Sequence, residues 1–198
     1  MVLVSGSHNS AALFNPAGNL QDRYDKNWLV PFGEWVPMRA YLPFSRTFGV
    51  PETDVVPGAS DSLLVAGPAK MSVLICYESV FPVLSRVRTA RGANLLVSIT
   101  NDSWAGESAE LQQHYAMTAF RAVETRRYVA SSATTGITAL IDPAGRAVRL
   151  PAYKEQVLAA DARLCEGISP YVRWGDWFVL LCGIGTVLAL GGIPRKNT

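Results

Sequence analysis

Cysteine and histidine are scarce in this sequence, and their spacing argues against disulfide and metal chemistry. The 198 residues contain three cysteines and two histidines. An odd cysteine count without a Cys-x-x-Cys spacing argues against both a disulfide framework and a zinc site. His8 and His114 lie too far apart in sequence to suggest a metal centre. We expect His114, on a helical stretch, to be a packed or hydrogen-bonding side chain.

An excess of charge of one sign is also lacking. The formal net charge is +2, and charged residues make up 17% of the chain. The arginines are scattered as on solvated helix faces, and no basic stripe with interleaved aromatic residues occurs. We therefore expect no nucleic-acid partner. Residues 1–6 lack the basic region and the apolar length of a signal peptide and instead predict a strand.

Long apolar runs are lacking except at the C-terminus. Residues 177–193 form an uncharged run of 17 residues, at the lower limit of the about 17–25 that cross a bilayer as a helix. Tryptophans at its start and Arg195 and Lys196 after it follow the aromatic-belt and positive-inside patterns. A buried core helix is the alternative, which an all-round apolar, glycine-containing run fits poorly. We expect a transmembrane helix over 175–194 and a cytoplasmic tail over 195–198.

The remaining sequence predicts one domain over 1–170 in which strands alternate with helices. Two near-identical segments, 11–18 and 138–145, each combine an apolar strand with a Pro- and Gly-containing turn and predict hairpins. A helix is expected over 80–91, starting near Pro82. The other expected elements are strands over 95–100, 128–133 and 156–162 and a long helix over 107–127.

One cysteine, Cys76, directly follows a run that predicts a buried strand. Residues 71–75 are Met-Ser-Val-Leu-Ile, and Glu78 follows the cysteine two positions later. A strand that ends on a cysteine and turns into a helix presents the sulfur at the rim of a sheet, beside the first helix amides. Such amides favour a thiolate and can hold an oxyanion. A buried structural cysteine fits the same pattern, so this segment alone leaves both interpretations open.

A second segment, residues 24–37, places two charges in an apolar loop. Its sequence, YDKNWLVPFGEWVP, is too rich in Pro and Gly for a helix. The large apolar side chains around Lys26 and Glu34 need cover, which would bring the two charges near a covered site. An ordinary surface loop with both charges in water is the alternative.

Together these segments resemble the nitrilase (carbon–nitrogen hydrolase) superfamily and, within it, the apolipoprotein N-acyltransferases. The most specific motifs are Tyr-Asp-Lys-x-x-Leu-Val-Pro-Phe-Gly-Glu-x-Val-Pro at 24–37 and Ile-Cys-Tyr-Glu at 75–78. Further matches, covering essentially the whole chain, lie at 6–10, 98–104, 113–114, 121–124, 135–138 and 169–171. The resemblance implies an α/β fold, the nitrilase-type α-β-β-α sandwich, here N-terminally truncated and followed by one C-terminal transmembrane helix.

The resemblance also assigns roles to individual residues. Cys76 is the nucleophile that forms a thioester, Lys26 stabilises the oxyanion, and Glu34 positions Lys26 and the acceptor. Tyr77 and Glu78 support the turn of the nucleophile. The mouth of the site is expected to be lined by the loop residues Asn101, Asp102 and Trp104. No cofactor or metal is implied.

The general base of the family is a Glu upstream of the segment 6–10, at the end of an earlier strand. This chain begins only a few residues before that segment. We therefore expect the chain to lack this Glu and the transmembrane helices that precede the domain in the family. On that basis the 198 residues alone are expected to be inactive or nearly so.

The implied reaction transfers a fatty acyl chain from a phospholipid, through a Cys thioester, to the N-terminal amine of a diacylglyceryl-cysteine apolipoprotein. The expected partners are the phospholipid donor, the diacylglyceryl apolipoprotein acceptor and the membrane bilayer. The expected location is the bacterial inner (cytoplasmic) membrane, with the catalytic domain on the periplasmic or outer side. Two alternatives stay open: a soluble nitrilase-type amidase, which has no need of the apolar helix, and a non-catalytic membrane-tethered remnant.

Overall fold

The computed structural model describes residues 2–5, 8–41 and 52–191, which form two β-sheets and four α-helices. The first sheet is an antiparallel meander of β1 (Val2–Ser5), β2 (His8–Phe14) and β3 (Leu20–Asp25), hydrogen-bonded in that order. The second sheet contains, in spatial order, β4 (Leu64–Ala66), β5 (Ala69–Ile75), β6 (Leu95–Thr100), β7 (Val129–Ala133), β8 (Ala139–Ile141) and β9 (Ala147–Arg149). The helices are α1 (Pro82–Ala90), α2 (Glu110–Thr125), α3 (Pro170–Trp174) and α4 (Trp177–Gly191).

The centre of the second sheet is parallel. Strands β5, β6 and β7 pair in parallel, while β4, β8 and β9 pair antiparallel with their neighbours. Parallel neighbours need a crossover connection, and α1 and α2 provide the two crossovers. Helix α2 covers the sheet through Ala122, which packs with Leu96 and Val129 in a buried apolar cluster. All three parallel strands therefore end at the same edge of the sheet.

The two sheets pack face to face. Ala11 and Tyr24 of the first sheet form a buried cluster with Leu64, Val73 and Ile75 of the second. Alternate residues of a strand point to opposite faces, so the other face of β5 is left for the helices. The nitrilase-type sandwich is thus confirmed in its two sheets and one helical layer. In the described part of the chain, α1, α2 and α3 pack together on one side, and no helix forms the second outer layer.

Most local predictions agree with the structure. Strand β6 has the predicted bounds, α1 starts at Pro82 as expected, and α2 starts three residues later than predicted. Both hairpins are present, and each turn closes with a glycine N–H, of Gly18 or Gly145, donating to the Asn15 or Asp142 carbonyl at 2.9 Å. Both glycines have positive φ, 82° and 81°, which glycine adopts without steric cost.

The strand predicted over 156–162 is wrong. The segment, Gln-Val-Leu-Ala-Ala-Asp-Ala, pairs with no strand in residues 2–5, 8–41 or 52–191. Val157 is 93% exposed. Val157 is its only β-branched residue, and alanine and aspartate are depleted in strands.

The C-terminal prediction is also corrected. Helix α4 runs over Trp177–Gly191, and residue 191 is the last that the structure describes. Among the residues that the structure describes, no helix is long and apolar enough to cross a membrane. The end of the predicted span and the predicted tail, 195–198, lie outside the described residues.

Candidate active site

A pocket of about 710 Å³ opens where the three parallel strands end. Its lining comes from the last residues of β5, β6 and β7 and the residues after them, and from two side chains of the first sheet and its following loop, Asn9 and Glu34. Ligands of open α/β sheets bind at the carboxyl ends of parallel strands. Cys76 lies in this pocket, so the predicted nucleophile is at the position where a ligand is expected.

The backbone of Cys76 is left-handed. Its φ is 52°, a conformation that costs a residue other than glycine about 1–2 kcal/mol. Cys76 is also the first residue of a 3₁₀ helix, Cys76–Val80, that follows β5 directly. The predicted turn from strand to helix at the cysteine is therefore confirmed. Strained backbone of this kind persists only where surrounding contacts hold it, and it is frequent at functional sites.

Lys26 is buried beside the pocket. Its side chain is 0% exposed, and its Nζ donates to Glu34 Oε2 at 2.7 Å. Backbone bonds fix its position: the Lys26 N–H donates to the Asn9 carbonyl, and the Gly58 N–H donates to the Lys26 carbonyl, both at 2.8 Å. A buried ammonium needs a partner, because an unpaired buried charge costs several kcal/mol. The predicted association of Lys26 with Glu34 is therefore present.

Glu34 connects Lys26 to the pocket. Besides Lys26, its carboxylate accepts the Val30 N–H at 2.8 Å and the Asn9 Nδ2–H at 3.1 Å. Glu34 and Asn9 both line the pocket together with Cys76. Three donors thus hold Glu34 in one orientation, and the ion pair joins the Lys26 ammonium, which is not part of the lining, to a residue of the Cys76 pocket.

Glu78 is a fully buried carboxylate that joins the two segments of the site. It accepts the Tyr24 hydroxyl at 2.8 Å and the backbone N–H groups of Asn27 and Trp28 at 2.9 and 3.1 Å. Its other oxygen accepts the Ile75 N–H at 2.9 Å. Three donors meet one oxygen and one donor meets the other, so both oxygens of this buried carboxylate are hydrogen-bonded. Glu78 thereby links the loop that carries Lys26 to the end of the strand that carries Cys76.

Replacing Glu78 with Gln is expected to lower the free energy of unfolding by about 1–3 kcal/mol, the cost of a buried donor that loses its acceptor. The amide nitrogen of Gln would face either the Ile75 N–H or the three donors on the other oxygen. Urea unfolding followed by circular dichroism measures the change. Glu107→Gln, at an exposed carboxylate on the same chain, is the control and should change stability by less than about 0.5 kcal/mol. Equal stability of the two variants would contradict the linking role.

Behind Cys76, on the α2 side of the sheet, lies a buried His–Asp pair. His114 Nδ1 lies 3.0 Å from Asp102 Oδ1, and Thr100 Oγ1 donates to the same oxygen at 2.6 Å. His114 Nε2 lies 2.8 Å from Ser79 Oγ and 3.2 Å from the Cys76 carbonyl oxygen. The prediction that His114 is a hydrogen-bonding histidine is confirmed. Its contact with the nucleophile's own backbone had no signal in the sequence.

The charges of this pair support each other. Burial alone would lower the pKa of His114, but the hydrogen bond and charge of Asp102 outweigh it and raise this pKa. Burial alone would raise the pKa of Asp102, but hydrogen bonds from His114 and Thr100 hold it below its ordinary value. The raised pKa of His114 stabilises the folded state at pH values below the pKa of an unfolded His. The lowered pKa of Asp102 stabilises it at pH values above the pKa of an unfolded Asp. The charged pair therefore contributes fully between about pH 4 and about pH 6.5.

Other predicted site residues are placed differently. Asp102 was expected at the mouth of the pocket but is 4% exposed, because its carboxylate turns inward to its two hydrogen-bond donors. Asn101 does line the pocket, whereas Trp104 is exposed outside its lining. Tyr77 packs edge to face on Phe81, with ring centroids 5.9 Å apart.

The aromatic side chains of the Lys26 loop are less covered than expected. Trp28, Phe32 and Trp35 are 42%, 53% and 37% exposed, although Lys26 itself is buried. Gly6 and Ser7, in the predicted segment 6–10, lie outside the described residues.

Glu34 is the only carboxylate among the described residues that line the pocket. Glu34 accepts three hydrogen bonds, and Glu78 accepts four and does not line the pocket. Within 2–5, 8–41 and 52–191, no cluster of three or more His, Cys, Asp or Glu side chains is arranged to hold a metal ion.

Comparisons with known protein families and with curated proteins point to the same family. The carbon-nitrogen hydrolase family model matches residues 3–166. Apolipoprotein N-acyltransferase from Geobacter metallireducens is 44% identical over 191 residues, which are 96% of this chain and 37% of that protein. The protein of the same name from Gloeobacter violaceus is 37% identical over 169 residues, 84% of this chain and 32% of that protein. This chain therefore spans about a third of the length of these curated relatives.

Solved structures agree at the level of the fold. A carbon-nitrogen hydrolase from Helicobacter pylori matches with a TM-score of 0.55 at 15% identity, over 75% of this chain and 54% of that chain. Saccharomyces cerevisiae Nit3, a member of branch 10 of the nitrilase superfamily, matches with a TM-score of 0.54 at 21% identity, over 75% and 51% of the two chains. The resemblance predicted from the sequence motifs is thus confirmed, and the chain belongs to the carbon–nitrogen hydrolase family.

Proposed function

We propose that this chain carries the acyl-transfer site of an apolipoprotein N-acyltransferase. In this proposal Cys76 takes a fatty acyl group from a phospholipid and passes it to the N-terminal amine of a diacylglyceryl-cysteine apolipoprotein. The observation that carries it is the buried Lys26–Glu34 ion pair at 2.7 Å, with Glu34 and the left-handed Cys76 lining one pocket. Support for the substrates comes from the names of the relatives at 44% and 37% identity.

The proposed chemistry has two half-reactions. First, the Cys76 sulfur bonds to the acyl carbonyl carbon while its proton passes to a base, and the carbonyl electron pair moves to oxygen. Lys26 stabilises this oxyanion until the lysophospholipid alkoxide leaves and takes up a proton. Second, the acceptor amine attacks the thioester, an amide bond forms, and the thiol is regenerated. Glu34 keeps Lys26 in place during both steps, and the proposed base is the Glu that the family carries upstream of the segment 6–10.

Both proposed substrates are lipids, so the reaction takes place at a membrane surface. The proposed location is the bacterial inner membrane, with the site on the periplasmic or outer side. Exposed aromatic side chains flank the Lys26 loop, among them Trp28 and Phe32, and the apolar residues of α4 are exposed as well. Apolar side chains at this density on a surface are suited to lipid contact.

The test follows the acyl group. The full-length gene product, in detergent micelles, is mixed with phosphatidylethanolamine that carries a labelled acyl chain. We expect a hydroxylamine-sensitive label on the Cys76 peptide, detected by mass spectrometry after digestion. A synthetic diacylglyceryl-cysteine peptide with a free amine should then accept the label, and the same peptide with an acetylated amine should not. Ammonia release from a small amide without acylation by phospholipid would indicate an amidase instead, and neither activity would indicate a non-catalytic remnant.

A further inference from the structure

The peptide group that joins Cys76 to Tyr77 is held from the helical side of the sheet. Its carbonyl oxygen lies 3.2 Å from both His114 Nε2 and Ser79 Oγ. His114 is anchored in turn by Asp102 at 3.0 Å. Asp102 is itself enclosed, because a Cβ atom added to Gly136 would lie 2.2 Å from its second carboxylate oxygen. These contacts form a continuous buried chain from Asp102 to the backbone of the nucleophile.

The protonation state of His114 decides whether this chain holds the carbonyl. A protonated imidazole donates from both nitrogens, to Asp102 from Nδ1 and to the Cys76 carbonyl or Ser79 from Nε2. In the neutral form, with the proton kept on Nδ1 by Asp102, Nε2 is an acceptor and faces the carbonyl lone pairs. The protonated form therefore fits the observed contacts, in line with the raised pKa of His114.

The direction of this carbonyl matters for the pocket. Val97 and Ile99 line the pocket, whereas Leu96 packs against α2, so the pocket lies on the face of the sheet opposite α2. A trans peptide directs its N–H opposite to its C=O. With the Cys76 carbonyl held toward α2, trans-peptide geometry directs the Tyr77 N–H away from α2, toward the face of the sheet on which the pocket lies.

We infer that the buried Asp102–His114 pair is a positioning device that keeps the Cys76–Tyr77 peptide, and with it the strained turn of the nucleophile, in its reactive orientation. This inference rests on the proposed role of Cys76 as nucleophile. Neither His114 nor Asp102 lines the pocket, so both act through Cys76 and without touching the substrate. The reactivity of Cys76 then depends on the charge of a residue on the opposite face of the sheet.

The groups around His114 set the expected pH dependence. Asp102 faces it from the loop after β6, Cys76 and Ser79 face it from the 3₁₀ helix, and Glu110 lies on its own helix α2. The carboxylate of Glu78, on the same 3₁₀ helix, is occupied by donors from the first sheet, its following loop and Ile75 of β5. Asp102 is therefore the group whose replacement should change the titration of His114 most.

The test measures alkylation of Cys76 by iodoacetamide, which needs no lipid substrate. Labelling is quantified by mass spectrometry for the Cys76 peptide relative to the Cys165 peptide, from pH 5.5 to 9, in the full-length protein. We expect His114→Leu to lower the relative rate about 10- to 100-fold at pH 7, the scale of one hydrogen bond to a charged group. His114→Gln retains a neutral N–H donor and should stay within about threefold of the parent protein. Gln113→Ala, at the exposed neighbouring residue, is the matched control.

The pH profile separates positioning from packing. The relative rate of Cys76 labelling in the parent protein, divided by that in the His114→Gln protein, should fall as pH rises through the pKa of His114. Above that pKa the parent imidazole is neutral and loses its charged donor. Asp102→Asn removes the charge that raises this pKa, so it should move the fall to lower pH. A folded His114→Leu protein with the parent rate, or an Asp102→Asn profile that does not move, would overturn the inference. If His114→Leu fails to fold, the Gln and Asn variants decide alone. Parent labelling of Cys76 no faster than Cys165 would instead reject Cys76 as the nucleophile.

Discussion

Replacement of Cys76 by Ala or Ser is expected to abolish the acyl-enzyme thioester. Cys76 is the only one of the three cysteines that lines the pocket at the strand ends, and an alcohol in its place is a much weaker nucleophile than a thiol. Cys165 lies in a polar segment, and Cys182 lies on the apolar helix α4, away from the pocket. Incubation with labelled phospholipid, followed by mass spectrometry of the cysteine peptides, measures the adduct.

The matched control for this experiment is Cys165→Ser. It removes a half-buried thiol outside the pocket and should leave the amount and rate of thioester unchanged. Labelled acyl group found on Cys165 or Cys182 in the parent protein, or a full adduct in Cys76→Ala, would show that the nucleophile is elsewhere.

Replacement of Lys26 by Arg is expected to damage acylation almost as much as replacement by Ala. The Lys26 side chain is fully buried and its ammonium lies 2.7 Å from Glu34. Arg keeps the charge but presents a longer, planar fork where a compact ammonium faces a single oxygen. The expected loss is about 10²-fold or more in the rate of thioester formation, the scale of removing one oxyanion donor. Single-turnover labelling with the phospholipid donor measures it.

The control for the Lys26 variants is Lys70→Arg, because Lys70 is exposed on β5. The Lys70→Arg protein should form the Cys76 thioester at the parent rate. The two Lys26 variants also need a stability measurement, since Ala leaves the Glu34 carboxylate without its cation. A folded Lys26→Arg protein that acylates at a near-normal rate would mean that the site needs only a positive charge and no specific donor geometry.

The sequence was most informative where local pattern and local structure coincide. The apolar run before Cys76 predicted a strand and a turn into a helix, and both are present because β5 is buried on both faces. The resemblance of the loop 24–37 to the family implied that Glu34 positions Lys26, and the two side chains form an ion pair. In both cases the residues that decide the structure lie within a few positions of the residue of interest.

The predictions that failed depend on distant neighbours. Asp102 was expected at the pocket mouth because of its position in a loop after β6, but the partner that draws it inward, His114, lies 12 residues away on α2. Residues 156–162 were predicted as a strand, yet in the described part of the chain no strand lies beside them to share hydrogen bonds. The contact between His114 and the Cys76 carbonyl spans 38 residues, and no local pattern encodes it.

Glu78 also has a consequence for the order of folding. Its hydrogen bonds to Asn27 and Trp28 bridge 51 and 50 residues of chain, and Arg88 donates to the Tyr24 hydroxyl across 64 residues. Closing loops of this length costs entropy that is recovered only when the two sheets dock. Neither sheet contains the site by itself, because Lys26 directly follows a strand of one sheet and Cys76 directly follows a strand of the other. The pocket is therefore a late product of folding, and an intact Cys76 pocket implies that the sandwich around it is already assembled.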